Sequence, residues 1–140
     1  MSGNYIALYV HLIWTTKRRE PLLTPTTRYA LFDHLRREAL GKEINLRIVN
    51  GVADHVHGLV SLKSTQAVAS VVKELKGESS RWLNQQGWFD GPFVWQDGYG
   101  AISVSPQHVP RVIRYMFNQE KHHARQSLEE EMNLFAQYTE

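Results

Sequence analysis

Two helical patterns separate four extended apolar segments, and their order along the chain leaves few folds open. The segments read strand, helix, strand, strand, helix and strand over residues 5–14, 24–41, 44–53, 55–62, 64–87 and 93–105. Strand patterns repeat every two residues and helix patterns about every 3.6, so the two types can be told apart in sequence. This β-α-β-β-α-β order predicts an α+β, ferredoxin-like antiparallel sheet with helices on one face.

Capping and stop residues delimit the helical patterns. Thr24 can cap the first helix, and Gly41 and Gly87 are expected to end the first and second. One side of the second helix is expected to face the core, namely Val68, Val71, Val72, Leu75, Ser79, Trp82 and Leu83. Beyond the last strand, a C-terminal helix is predicted over 110–125 and a further one over 127–138.

The first strand alternates in polarity and is expected to be half-buried. Its apolar face comprises Ile6, Leu8, Val10, Leu12 and Trp14, and its other face Tyr5, Tyr9 and His11. A strand of this kind packs one face on a core and leaves the other in water.

Composition bounds the class of protein. A chain of 140 residues, 42% hydrophobic and 21% charged, is typical of one globular domain, predicted over 1–140. It has no cysteine, its apolar runs are short for a membrane span, and no secretory pattern opens it, so we expect a cytoplasmic protein. The net charge of +2 permits a nucleic-acid partner without requiring one.

A histidine pair interrupts the third strand, where "ADHVHGLV" is otherwise small or apolar. Residues two apart on a strand point to the same side, so His55 and His57 are expected to project together, with Asp54 toward the opposite face. Two neutral imidazoles suit a divalent metal. The simpler alternative is a pair of histidines on the solvent face of the sheet, bonded to water or neighbours.

The helix predicted over 110–125 offers a third ligand and a reactive group. At 100° per residue its core side would hold Val109, Ile113, Met116 and Phe117. Tyr115 and Gln119 would lie together on the opposite side, one turn apart. Spacing alone favours a surface pair with no role. His11, His122 and His123 are competing candidates for ligand or proton transfer.

Five segments in order resemble the HUH single-tyrosine transposases of small bacterial insertion sequences. They are "HLIWTTKRR", "ADHVHGLV", "LKGESSRWL", "WQDGYGAISVS" and "VIRYMFNQEKHH", which together cover most of residues 5–125. The family fold is a ferredoxin-like sheet, in agreement with the element order. Gly58 and Ala53 depart from the usual family residues beside the histidine pair, and neither departure removes a ligand.

The resemblance implies a metal-assisted transesterification of single-stranded DNA. His55, His57 and Gln119 would bind Mg²⁺ or Mn²⁺, and Tyr115 would attack a phosphodiester to leave a 3′-hydroxyl and a 5′-phosphotyrosine. It further implies hairpin-bearing DNA ends as substrate, no nucleotide cofactor, and a homodimer whose sites combine residues of both subunits. Tyr115 could meet the histidines in cis or in trans.

Basic residues are the candidate DNA contacts. Those on the second helix and after the first strand are carried over by position, and two more lie beside Tyr115: Lys17, Arg18, Arg19, Lys73, Lys76, Arg81, Arg114 and Lys121. Phosphate neutralisation by such side chains makes binding salt-dependent. Each could equally be an ordinary solvated residue.

Three alternatives remain at this point. An RNA-recognition module has the same element order, and Gly98, Tyr99 and Gly100 fit its signature strand, but Ala101 and Val104 stand where stacking aromatics belong. A domesticated hairpin nuclease would use the same chemistry without moving its own element. A plain metal-dependent hydrolase would use water instead of Tyr115.

Overall fold

The computed structural model of this chain describes residues 3–118, 128–130 and 133. Its strands are β1 (Leu8–Thr15), β2 (Asn45–Gly51), β3 (His55–Leu62) and β4 (Gly100–Val104). Its helices are α1 (Pro25–Gly41), α2 (Val68–Gln85) and α3 (Val109–Phe117), with short 3₁₀ turns over Lys17–Arg19 and Pro106–His108. The element order therefore agrees with the one expected from sequence.

The four strands form one sheet in the order β2-β3-β1-β4, and all its pairings are antiparallel. In the central pair, Leu8 stands opposite Leu62 and Thr15 opposite His55. Each helix α1 and α2 connects two strands that run the same way with a third between them, which is the ferredoxin-like arrangement. The predicted fold class is confirmed.

One face of the sheet packs on α1 and α2. Thr24 caps α1 by accepting a hydrogen bond from the backbone N–H of Thr27 at 3.3 Å. The buried residues of α2 are Val71, Val72, Leu75, Ser79 and Leu83, as the spacing predicts. They join Leu12 and Trp14 of β1 in the larger hydrophobic core, so the helical periodicity correctly identified this layer.

The other face of the sheet is covered by α3. Leu59 and Val104 pack there with Val112 and Met116 of the helix in a second, smaller cluster. The prediction that β1 is half-buried was therefore wrong, since His11 through Trp14 are all buried. The apolar side of β1 packs on the helix layer, and α3 shields the side that alternation assigned to solvent.

The orientation of α3 also differs from the expected one. Val112 and Tyr115 face the core at 0% and 8% exposure, whereas Phe117 is 72% exposed. The apolar residues of this short helix span more than half its circumference, so periodicity alone could not select the packed side.

Most of the two predicted C-terminal segments lies outside the described residues, of which 128–130 and 133 are helical. No helix in the described part of the chain could span a membrane.

Candidate metal and nucleophile site

His55 and His57 lie side by side on the sheet face that α3 covers. They alternate with Val56, which packs in the helix-layer core, and their ring centroids are 5.1 Å apart. Both side chains are 0% exposed. The pair projects to one side of β3 as predicted, but the solvent-face alternative was wrong, because both side chains are fully buried.

His57 shares a hydrogen bond with a third imidazole. His11 Nε2 lies 2.7 Å from His57 Nδ1, and His11 is also 0% exposed. One of these two nitrogens carries the proton. When it is His57 Nδ1, the other ring nitrogen of His57 keeps its lone pair for a metal, so His11 is placed to select the ligating tautomer.

Asp54 holds His55 in the same way. Its carboxylate Oδ1 accepts from His55 Nδ1 at 2.7 Å, while Oδ2 lies 3.1 Å from Nη2 of Arg19. Burial acts to raise the pKa of Asp54, but the hydrogen bond with His55 and the charges of His55 and Arg19 outweigh it, so the net pKa is lowered. In the neutral imidazole, a carboxylate that accepts from Nδ1 fixes the proton there and makes Nε2 the unprotonated nitrogen of His55.

The expected direction of Asp54 was wrong for a definable reason. Asp54 precedes β3, which begins at His55, so the alternation of a regular strand does not apply to it. It closes a tight connection in which Val52 N–H donates to the carbonyl of His55 at 3.1 Å. The sequence feature that could have indicated this contact is an aspartate directly before a histidine at the start of a strand.

Gly51 permits this connection. A Cβ atom at Gly51 would lie well inside van der Waals contact of the His55 carbonyl oxygen. Because a backbone carbonyl cannot rotate away as a side chain can, a larger residue here would displace the start of β3. Gly51 therefore fixes where His55 enters the sheet.

Tyr115 lies on the packed side of α3, toward the sheet face that bears the histidines. It belongs to the cluster that contains Leu59, two residues after His57 on the same face. The Asn50 side chain anchors the end of this helix by donating from Nδ2 to the Met116 carbonyl at 2.6 Å. The helix that carries the phenol is thus tied to β2.

The remaining ligand candidates of this segment lie outside the described residues. These are Gln119, the expected third ligand, together with His122, His123 and the basic residue Lys121. The described part of the site therefore comprises the paired imidazoles, their two hydrogen-bonding partners and the tyrosine.

A basic turn follows β1 at the histidine end of the sheet. Arg18 and Arg19 have φ of 56° and 54°, a left-handed conformation that costs non-glycine residues energy. The turn is held by Thr16, whose backbone N–H donates to the Asp54 carbonyl at 2.9 Å. Lys17 is exposed beside them. Of the three cations, Arg19 contacts the Asp54 carboxylate directly, at 3.1 Å.

The other described basic candidates lie on α2 and α3. Lys76 of α2 donates to the carbonyls of Gln96 and Gly98, both at 2.8 Å, and burial lowers its pKa. Arg81 is paired with Glu78 at 2.6 Å. Lys73 and Arg114 are exposed, on α2 and α3 respectively. Arg19 of the turn therefore contacts Asp54 directly, whereas Lys76 of α2 and the backbone N–H of Arg18 both donate to Gln96.

The RNA-recognition alternative needs an open sheet face for stacking bases. Here the face opposite α1 and α2 is occupied by α3, and the side chains His11, His57 and Leu59 on it are completely buried. Such a platform is not available on the described sheet.

Known proteins match this chain over most of its length. The sequence profile of the family described as "Transposase IS200 like" matches residues 4–119. The ISDra2 transposase TnpA of Deinococcus radiodurans is 31% identical over 124 residues, which cover 84% of this chain and 87% of that protein.

Solved structures agree. A crystal structure described as that of a transposase from Deinococcus radiodurans R1 has a TM-score of 0.68 at 28% identity, covering 85% of this chain and 95% of that one. A REP-associated tyrosine transposase bound to a REP hairpin has a TM-score of 0.62 at 15% identity, covering 88% and 73%, and shows the shared fold alone. The profile match and the 31% identical relative show that this chain belongs to the IS200-like transposase family of DNA-processing enzymes.

Proposed function

We propose that this transposase cuts and rejoins single-stranded DNA at hairpin-bearing element ends, with Tyr115 as nucleophile and a 5′-phosphotyrosine intermediate. The observation that carries the proposal is the placement of His55 and His57 together beneath the helix that bears Tyr115. Each imidazole has its Nδ1 engaged by a neighbour, Asp54 or His11, within 2.7 Å.

The donor set fits a divalent cation. Two imidazoles oriented through Nδ1 each leave Nε2 as a ligand, and Gln119 would add an amide oxygen. Nitrogen and oxygen donors without sulfur suit Mn²⁺, and also Mg²⁺ where phosphate oxygens and water complete its coordination shell. When bound, the cation supplies neutralisation of charge on the scissile phosphate.

The chain's own residues supply the nucleophile and the local positive field. Attack by the Tyr115 oxygen on phosphorus forms the tyrosyl ester, breaks the bond to the 3′ oxygen and releases it as a 3′-hydroxyl; rejoining reverses these steps. Because one phosphoester replaces another, rejoining needs no nucleotide. Arg18 and Lys17 would bind neighbouring phosphates at the end of the sheet where β3 begins with His55.

Access requires α3 to shift, because Tyr115 is only 8% exposed. The helix is connected to β4 through residues 105–108, where Ser105 Oγ lies 2.8 Å from His108 Nδ1. Movement about this short connection would open the sheet face to DNA, within one chain or across a homodimer. The hairpin bound by the REP-associated neighbour supports a hairpin as the DNA feature recognised.

The test is a covalent-adduct assay with Mg²⁺ and a single-stranded hairpin oligonucleotide. The wild-type chain should give a protein–DNA adduct that survives denaturation, and Tyr115→Phe should give none while still binding DNA. Tyr99→Phe is the matched control, since Tyr99 is 44% exposed near β4, and it should react normally. Cleavage without an adduct would assign the reaction to water and reject the tyrosine mechanism.

Mixing two inactive variants decides how the site is assembled. His57→Ala lacks a metal ligand and Tyr115→Phe lacks the nucleophile, so neither should cleave alone. If the homodimer shares its sites in trans, the mixture should regain adduct formation, because one of the two composite sites then holds both intact groups. A mixture as inactive as its components would assign the site to a single chain.

A further inference from the structure

A second group of metal-ligating side chains lies on the other side of the sheet, between α1 and α2. It consists of His34 and Glu38 of α1 and Glu78 of α2, whose ligand atoms all lie within 4.8 Å of one another. We propose that these three side chains bind a divalent transition-metal ion that joins the two helices. This site is separate from His55 and His57 and goes beyond the proposed DNA chemistry.

The spacing and burial of the three residues favour a site over a chance cluster. His34 and Glu38 are four residues apart, so they share one side of α1. Their partner comes from α2, and the side chains of His34 and Glu78 are only 14% and 19% exposed. Ligands from two packed helices are held in place by the core beneath them, which reduces the ordering cost of binding a metal.

The imidazole of His34 is fixed in orientation by a ring stack. Its centroid lies 4.4 Å from that of Trp82 at an interplanar angle of 12°, and Trp82 in turn contacts Trp88 edge-on at 5.6 Å. A preoriented imidazole is what a metal site requires of its histidine.

The ring nitrogen that faces the carboxylates has no hydrogen-bond partner among the described residues. His34 Nε2 is buried and lies 3.7 Å from Oε1 of Glu78, beyond hydrogen-bonding distance. A buried lone pair beside two carboxylates is accounted for by a cation between them.

The types of ligand limit which metal ions fit the site. One imidazole and two carboxylates suit Zn²⁺, Mn²⁺, Co²⁺ or Fe²⁺, whereas Ca²⁺ prefers oxygen donors throughout. Arg81 competes for Glu78, with contacts of 2.6 and 2.8 Å, but its side chain is 62% exposed and such a pair is readily displaced. Binding would therefore release Arg81 from Glu78.

The test is the number of Zn²⁺ ions bound per chain and the thermal stability they confer. We expect Glu38→Gln to bind one ion fewer than wild type, and the His57→Ala chain to retain one site that Glu38→Gln then removes. Glu74→Gln is the matched control, because Glu74 lies one turn earlier on α2 and is about half-exposed. Zinc at 100-fold over its Kd should raise the Tm of His57→Ala by about 5–10 °C.

The outcomes separate this proposal from the DNA chemistry. Loss of one site in Glu38→Gln, with Glu74→Gln unchanged and adduct formation intact, would support the α1–α2 site alone. Equal zinc stoichiometry and equal Tm shifts for wild type, Glu38→Gln and Glu74→Gln would overturn it. Because both substitutions are conservative and lie at or near the surface, the comparison does not depend on a variant that unfolds.

Discussion

The two faces of the sheet are built on different principles. The face toward α1 and α2 is apolar, and among its few buried polar contacts the indole of Trp95 donates to Ser79 at 3.0 Å. The face toward α3 is smaller and buries three imidazoles, His11, His55 and His57. One layer is composed for stability, whereas the other holds titratable groups whose burial costs free energy unless each is hydrogen-bonded.

The contrast locates chemistry and stability on opposite sides of the same strands. Along β3, Val56 and Val60 enter the apolar core while His55 and His57 enter the α3 interface. Adjacent residues of β3 therefore have different roles: the valines pack in the core, and the histidines lie in the proposed site. Substitutions on the apolar face should change the free energy of unfolding, and substitutions on the imidazole face should change DNA cleavage.

The largest expected effect comes from removing the imidazole pair that shares a proton. Replacing His11 with Phe and His57 with Leu together should lower adduct formation by at least about 10³-fold, because the proposed metal ligand His57 is lost. The double variant should be more stable than His57→Leu alone, since the single change leaves His11 Nε2 without its 2.7 Å partner. Chemical denaturation and the adduct assay measure the two effects; a double variant less stable than the single would contradict the comparison.

Truncating a core side chain on the other face should lower stability and leave cleavage nearly unchanged. Leu75→Ala should lower the free energy of unfolding by about 2–5 kcal/mol, because Leu75 is 2% exposed and its removal leaves a cavity. Cleavage per folded molecule should stay within about threefold of wild type. Leu40→Ala on α1, where the residue is 80% exposed, is the control and should change stability by less than about 0.5 kcal/mol.

An intermediate effect is expected at Asp54. Asp54→Asn keeps the side-chain shape but removes the carboxylate that orients His55, which should weaken metal affinity by about 10–100-fold. Metal titration monitored by cleavage measures the change, and saturating Mn²⁺ should recover much of the activity. A defect that no metal concentration relieves would show that Asp54 acts otherwise than through His55.

The smallest expected effect concerns the hydroxyl on the apolar face. Ser79→Ala leaves the Trp95 indole N–H without its acceptor and should cost about 1–3 kcal/mol of unfolding free energy. Ser80→Ala is the neighbouring control, because Ser80 only donates back to the Gly77 carbonyl of its own helix at 3.1 Å. Neither change should alter adduct formation per folded molecule, and a selective loss in Ser79→Ala would end the division between the faces.

Sequence reasoning succeeded where the signal was local and repeated. The side of α2 that holds Val72 and Leu75 was predicted from spacing alone, because a long amphipathic helix has one apolar stripe. The common direction of His55 and His57 followed from the geometry of a strand. The order of the strands followed from the order of the helices between them.

Sequence reasoning failed where the burial or contacts of a residue depend on a further element packed against its own. The burial of His11 depends on α3, which covers a sheet face that alternation alone assigns to water. The packed side of α3 depends on what the sheet presents to it, so Tyr115 and Phe117 exchanged their expected environments. The contacts of Asp54 depend on a tight connection that Gly51 allows, and no periodic pattern describes such a connection.

Because Arg18 and Arg19 have a left-handed backbone, the conformation of the cationic turn depends on the neighbouring strand ends staying folded. A free peptide of this sequence would rarely adopt two such conformations in succession, so the shape persists only while Thr16 and Asp54 hold it. Local opening of that corner would release the arginines and the carboxylate behind His55 in one event. Amide hydrogen exchange at residues 16–20 and 52–55 should therefore proceed as a single cooperative unit.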